Sequence, residues 1–438
     1  MMHSKVLLFT GMLILGLVGV NRAQDTLKLE QAINRTLRQN HGIKVARMEA
    51  AVSANQATRG NAGLLPTLGV TAGGNYSRKD TRLELAGDNP DIDQPGAQST
   101  GYNVALTTSY SLVGMRSVYT YEQLRVQSEF ARFQSRATIE NTLINLIVAY
   151  YEAAGYQEQL SISEANMKIS RERYKRASLT FGYGDTTRVE VLNAQVDLNT
   201  DSVSLKNARV NLANSKRNLA YLMGEPEATF FLGRKVDFAE EMTVEQLQRL
   251  ALSNNVSILQ AASNIRTAQL NQQIARQNRL PSLNLTGSYG LAQTNTDAGI
   301  VTSNRSVGLE GGITMSYNLF NGGQTSTQIR NAQLAMESNQ ELQKDAEELI
   351  RKEVTNGLAT YQNSLEVLVL EQLSVETALL NFERTKEQFE LGNLTTTQFR
   401  EAQLNLTQAR SRIVNARFQA KVAELQLLRL TGSLVSGE

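Results

Sequence analysis

A chain of 438 residues has room for about three ordinary domains, and with no cysteine it builds no disulfide, thiolate metal site, cysteine nucleophile or lipoprotein anchor. Its 44 basic and 42 acidic residues nearly cancel, which removes the strongly basic face that nucleic acid requires. Five prolines and an abundance of Ala, Leu, Gln, Asn and Arg favour long uninterrupted helices.

Residues 1–23 read as an export signal. His3 and Lys5 precede an apolar run from Val6 to Val20, and small residues follow to Ala23. The run is shorter than the ~20 residues a spanning helix needs, so cleavage is expected to leave Gln24 first. Setting Lys5 and Arg22 aside leaves equal numbers of basic and acidic residues. No later segment is long and apolar enough for a spanning helix, so a membrane-embedded mature chain would need β-barrel strands.

The first repeat, residues 24–228, opens with a helix from Leu29 to about Gly60, stopped by Pro66. Two strands are predicted at about 67–76 and 102–113. Leu68, Val70, Ala72 and Tyr76, then Val104, Leu106, Tyr110 and Leu112, alternate with polar or small residues. A polar, Gly- and Asp-containing loop separates them. A long helical hairpin follows at about 119–222, and residues 229–240 join it to the second half.

Residues 241–434 repeat the order. Leu29-Glu30-Gln31-Ala32, Asn40 and Leu65-Pro66-Thr67-Leu68 return at a constant offset as Val244-Glu245-Gln246-Leu247, Asn255 and Leu280-Pro281-Ser282-Leu283. A helix from Thr243 to about Arg279, strands at about 282–291 and 306–319, and a helical hairpin at about 324–430 are predicted; 435–438 is a tail. In the return helix Phe399, Ala402, Leu406, Ala409, Ile413, Ala416, Ala420, Ala423, Leu427 and Leu430 step by threes and fours. That rhythm is coiled-coil packing. Val354, Leu358, Tyr361, Leu365, Leu368, Val375, Leu379, Phe382 and Phe389 do the same in the rising helix. The first half echoes the small-residue seam with Ala194, Ala208 and Ser215, interrupted by Asp201.

The hairpins reverse at Phe181-Gly182-Tyr183-Gly184-Asp185-Thr186 and at Phe389 to Leu391-Gly392-Asn393-Leu394-Thr395. Gly followed by a short polar residue is a helix-reversal device, because both tolerate left-handed geometry. Four amphipathic strands cannot close a barrel. Two chains would supply eight strands and three chains twelve; arithmetic alone leaves both open.

Over nearly its whole mature length the chain resembles the TolC-like outer membrane efflux proteins. The likeness rests on the tandem repeat, the Leu-Pro-x-Leu strand entries and Tyr317-Asn318-Leu319-Phe320-Asn321-Gly322-Gly323 at strand exit. The paired tips complete it: Arg173-Tyr174 with Tyr183-Gly184-Asp185, and Phe382-Glu383-Arg384 with Leu391-Gly392-Asn393. Val113-Gly114-Met115 departs from Phe-Asn-Gly in the first repeat. The resemblance implies a mostly α fold with transmembrane β: a homotrimer with a twelve-stranded barrel in the outer membrane of a Gram-negative bacterium and an α-helical periplasmic tunnel. It implies an exit duct for a tripartite pump or type I secretion system. Its partners would be a periplasmic adaptor docking the tips, an inner-membrane transporter and outer-membrane lipid.

Family members can carry gate aspartates six and nine residues after the tip glycine. Here those positions are Gln398 and Glu401, with Glu190 and Asn193 in the first repeat. Arg173, Arg176, Arg384 and Arg400 are candidates to tie the hairpins by ion pairs, each worth about 0–1 kcal/mol if exposed. Tyr76, Tyr102, Tyr110, Tyr289, Tyr317 and Phe320 are candidates for interfacial aromatic girdles. No phosphate-cradling loop, His-Glu-x-x-His or Gly-x-Ser-x-Gly occurs. His41 has Val256 at its repeat counterpart. An enzyme, a metal or a cofactor is not expected. The alternative function is a secreted coiled-coil structural or filament protein.

Overall fold

The computed structural model describes residues 26–84, 92–113, 115–226, 230–233, 236–238, 243–298 and 301–434. The export signal, Gly114, residues 229, 234–235 and 239–240 of the joining stretch and the tail 435–438 lie outside these residues. The elements are β1 (Thr26–Leu27), α1 (Leu29–Gln39), α2 (His41–Gln56), β2 (Thr67–Leu83), β3 (Ile92–Val113), α3 (Met115–Gly182) and α4 (Arg188–Met223). Next come β4 (Phe231–Leu232), α5 (Val244–Asn254), α6 (Val256–Gln277), β5 (Ser282–Thr296), β6 (Ser303–Ser316), α7 (Gln324–Glu390) and α8 (Thr396–Leu430). The same series of seven elements occurs twice in order. Contacts divide the chain into two units, one of residues up to Thr36 with Ala149–Lys235, the other of Leu37–Val148 with Val236 onward.

In the first unit β1 pairs in parallel with β4. Tyr150 locks that pair to α3: its hydroxyl donates to the Leu27 carbonyl at 2.8 Å and accepts from the Gly233 N–H at 3.2 Å. Burial raises the Tyr150 phenol above its usual range. Lys216 on α4 donates to the Phe230 carbonyl at 2.6 Å, and burial lowers its ammonium.

In the second unit, the break within each entry helix departs from the sequence reading. Where one helix is expected from Leu29 to Gly60, the backbone breaks at Asn40 (φ −59°, ψ 126°). Where one is expected from Thr243 to Arg279, it breaks at Asn255 (φ −64°, ψ 128°). Each asparagine caps the helix that follows, Asn40 accepting from the Ile43 N–H at 3.1 Å and Asn255 from the Ser257 N–H at 2.9 Å. Buried Asn255 also donates to the Leu430 carbonyl at 2.9 Å, satisfying the end of α8. The surrounding core joins Leu247 and Ala251 of α5, Ile258 of α6, Val354 and Tyr361 of α7, and Leu427 of α8. Asn255→Ala removes a cap worth about 1 kcal/mol and strands a buried carbonyl at about 1–3 kcal/mol. A loss of roughly 2–4 kcal/mol is expected, read as a lower urea midpoint by circular dichroism at unchanged slope.

The four-stranded sheet has the order β2-β3-β5-β6, antiparallel throughout. β2, β3 and β5 run well beyond the predicted strands, to 17, 22 and 15 residues, whereas β6 has the predicted 14 but starts three residues earlier, at Ser303. The extensions are polar, charged on β2 (Arg78, Lys79, Asp80, Arg82) and Gln-, Ser- and Thr-containing on β3 and β5, and offered no apolar alternation; ladder hydrogen bonds hold them without it. β6, by contrast, ends at Ser316, three residues before the predicted end. Pro95 falls at the bulge where pairing shifts between Lys79 and Thr81, the place a strand tolerates a missing N–H.

The register sorts every side chain by face. One face carries the rows Val70–Leu106–Tyr289–Leu309, Ala72–Val104–Leu291–Val307 and Tyr110–Leu285–Ile313. The other carries Thr67–Ser109–Thr286–Gly312, Gly69–Thr107–Ser288–Glu310 and Thr71–Ala105–Gly290–Gly308. The apolar face is uncovered within the chain: Leu68, Val70 and Leu309 are 71%, 71% and 83% exposed. Four of the six girdle candidates stand on it. Tyr76 and Tyr102 lie toward one end and Tyr110 toward the other, while Tyr289 sits in the middle row. Tyr317 and Phe320 follow the end of β6. On the polar face only a glycine fits at 290, where a Cβ would stand 2.5 Å from the Val104 carbonyl oxygen and 2.6 Å from the Ala105 Cβ.

The strand-to-helix connections differ as the two sequences do. β3 ends at Val113 and α3 begins at Met115. β6 reaches α7 through Tyr317–Gly323, where Gly322 (φ 65°) and Gly323 (φ 85°) take left-handed conformations.

Candidate functional site

The long helices exist to hold two reversals. α7 has 67 residues, about 100 Å at 1.5 Å per residue, and α8 returns along it. Every predicted seam position of α8 from Phe399 to Leu430 is buried. Of the α7 positions only Val354 and Tyr361 are fully buried, and Leu358 and Leu365 are half-buried. A second stripe on α7, including Leu342, Leu349, Leu370, Leu373 and Leu380, is exposed. α4 has its own exposed stripe, Val189, Leu192, Val196, Val203 and Val210, at near-heptad spacing.

In the first unit α3 ends at the tip with Gly184 at φ 84°. The Asp185 N–H donates to the Thr180 carbonyl at 3.0 Å and the Gly184 N–H to that of Phe181 at 3.1 Å. This is a left-handed helix stop that consumes the last free carbonyls. Phe181, Gly182, Tyr183 and Asp185 are exposed and Thr186 is half-buried; Tyr183 is 81% exposed. The Thr186 hydroxyl donates to the Glu190 carboxylate. Behind the tip, Arg173 of α3 pairs with Asp197 of α4. Asp201, the residue that interrupts the seam, is buried and accepts from the Ser170 hydroxyl. The polar break is thus hydrogen-bonded rather than exposed.

In the second unit the tip repeats the backbone and changes the side chains. Gly392 has φ 82°, its N–H donates to the Phe389 carbonyl at 3.1 Å, and the Asn393 N–H donates to that of Gln388 at 2.9 Å. Asn381 and Asn405 replace the Arg173–Asp197 pair, and the two helices are pinned by aromatics instead. Phe399 stacks on Phe389 at 4.7 Å between centroids and on Phe382 at 5.6 Å. Leu391 is 72% exposed, Asn393 and Thr395 are exposed and Leu394 is half-buried.

The gate candidates sort by what already holds them. Gln398 is the third residue of a capping box: its N–H donates to the Thr395 hydroxyl at 3.3 Å, and its side-chain oxygen accepts from the Thr395 N–H at 3.0 Å. Sequence reasoning missed that role, although Thr-x-x-Gln is its signature. Glu190 is half-buried and held by Thr186, whereas Glu401 and Asn193 are exposed. Among the tying arginines, Arg400 turns along its own helix to the Gln403 amide oxygen at 3.2 Å. No cluster of metal-ligating side chains occurs among the described residues, and no helix among them is long and apolar enough to cross a membrane.

Comparisons with known proteins converge on this architecture. The pattern of the Outer membrane efflux protein family matches residues 32–225 and again 247–433. The chain is similar to the outer membrane protein TolC of Vibrio cholerae, 24% identical over 401 residues covering 89% of this chain and 86% of that one. It is also similar to the alkaline protease secretion protein AprF of Pseudomonas aeruginosa, 25% identical over 305 residues, 66% of this chain and 61% of that one. In structure it resembles the CmeC outer membrane channel of Campylobacter jejuni, with a TM-score of 0.76 at 17% identity over 94% of this chain and 87% of that one. Matched twice, across most of its length, the chain belongs to the outer membrane efflux protein family.

Proposed function

We propose that this chain is the outer-membrane exit duct of a tripartite efflux pump or type I secretion system, passing substrates from an inner-membrane transporter and periplasmic adaptor out of a Gram-negative cell. The observation that carries this reading is the sorted sheet. An open sheet with one apolar face and one polar face suits a wall between lipid and water, and its bare edges require further strands. Two tandem copies of one helix–strand–strand–hairpin unit, at 24–228 and 241–434, give four strands per chain. Three chains then share a twelve-stranded barrel, and the exposed stripes on α4 and α7 are the surfaces that helices of neighbouring chains cover. Family membership favours an exporter, and the likeness to a protease secretion protein keeps protein cargo within scope. No cofactor takes part.

The adaptor docks on the reversals, where Tyr183 and Leu391 offer apolar side chains to a partner. Gln398, Glu401 and Glu190 form the periplasmic gate, where Glu401 contributes a cation-attracting ring. The mass of the detergent-extracted protein by light scattering, corrected for bound detergent, tests the assembly. Three chain masses are expected. A monomer that stays soluble without detergent would remove the duct reading.

A further inference from the structure

The polar face of the sheet carries almost no charge. From Lys79 to Thr67 on β2, and across the paired stretches of β3, β5 and β6, its ionisable side chains among the described residues are Lys79 and Glu310. Lys79 stands at the far end, ten residues along β2 from Gly69, the residue in the row of Glu310. At ~3.4 Å per residue they are roughly 34 Å apart. Glu310 sits at mid-band. On the reverse face Leu309 and Ile313 belong to the apolar rows, which run along β6 from Val307 to Met315. The surroundings of Glu310 are small: Gly308 and Gly312 on its own strand, Thr286, Ser288 and Gly290 on the next. Nothing lies within 4 Å of where a side chain at Gly308 would begin. The side chain is exposed on this face.

We infer that Glu310 is an electrostatic filter within the barrel lumen, giving the duct a preference for cations that is separate from any charge at the periplasmic tips. The inference rests on the shared-barrel reading above. Twelve strands about 4.8 Å apart and tilted about 40° make a cylinder roughly 24 Å across at the backbone. Three carboxylates projecting inward then lie within ~8 Å of the axis. That is inside the Debye length of ~10 Å at 0.1 M salt and well outside the ~3 Å at 1 M. The ring therefore acts on permeating ions at low salt and is silent at high salt. Its summed, screened potential enriches a monovalent cation on the axis about threefold at 0.1 M.

The test is the reversal potential of the full-length protein in planar bilayers under a KCl gradient centred near 0.1 M. It is run in a Glu401→Gln background so that the tips do not dominate selectivity. Because the same potential depletes chloride about threefold, Glu310→Gln is expected to lower the potassium-over-chloride permeability ratio about ninefold at this salt and to leave it nearly unchanged near 1 M. The chain has no cysteine, so Glu310→Cys gives a single addressable thiol. Sulfonate-bearing methanethiosulfonate should restore the cation preference, and the trimethylammonium reagent should invert it. Channels of normal conductance whose reversal potential ignores all of these changes would overturn the filter and leave the shared barrel standing. Failure of the parent protein to form channels would overturn both.

Discussion

Gly392→Pro is expected to reduce export to the level of a strain lacking the protein, while trimers still reach the outer membrane. At φ 82° the residue occupies a region closed to proline, whose ring holds φ near −65°. The substitution also deletes the N–H that donates to the Phe389 carbonyl. Nothing lies within 4 Å of a Cβ built at this glycine, so the damage comes from backbone geometry and not from crowding. The sheet lies at the other end of α7, about 100 Å away along the helix, and its ladders do not depend on the turn. Insertion is scored by heat-modifiable trimer in outer-membrane fractions, and export by survival on a panel of toxic compounds. Gly392→Asn, which tolerates left-handed geometry, should retain export. Normal export by the proline variant would sink the docking role of this tip; loss of trimer would mean the turn serves assembly.

The return helix was the most legible part of the chain. Its seam from Phe399 to Leu430 is buried within the chain, and its last turns join α5, α6 and α7 in one core. The periodic positions of α7 are buried or half-buried, but a second apolar stripe on the same helix stays exposed. Leu370, Leu373 and Leu380 have no partner helix within the chain's own hairpin. Periodicity reports that a face is apolar, not whose helix covers it. The breaks at Asn40 and Asn255 were hidden for a different reason. Each interrupts a longer helical pattern at a short run of weaker helix formers, His41-Gly42 and Ser253-Asn254, and the capping side chain decides the break there. Their recurrence at the same repeat position was visible, and a repeated Asn in a helix is better read as a cap. Gln398 carries a role the family analogy did not include: it completes a capping box with Thr395, and the local Thr-x-x-Gln pattern carried that information. The sheet faces were legible from alternation in the middle of each strand. The polar extensions were not, because backbone pairing, not apolar side chains, defines them.

Leu309→Arg is expected to abolish outer-membrane insertion, and it tests which face of the sheet meets lipid. Leu309 is 83% exposed in the row Val70–Leu106–Tyr289–Leu309. An arginine on the lipid side at mid-bilayer costs about 2–4 kcal/mol per chain, and a trimer meets that cost three times, roughly 6–12 kcal/mol in all. The matching substitution on the opposite face is Ser288→Arg, directly across the ladder from Glu310. There the cation faces water with a carboxylate beside it, and insertion should proceed normally. Heat-modifiable trimer in the membrane fraction reads both. Loss of Ser288→Arg with survival of Leu309→Arg would reverse the faces and move Glu310 out of the lumen. Survival of both would take the sheet out of the bilayer altogether. Only the expected pair of results fits an open sheet whose alternation separates lipid from the duct. In that case the exposed apolar rows of one chain are not an unfinished core. They are the outer wall of a barrel that a single chain has too few strands to close.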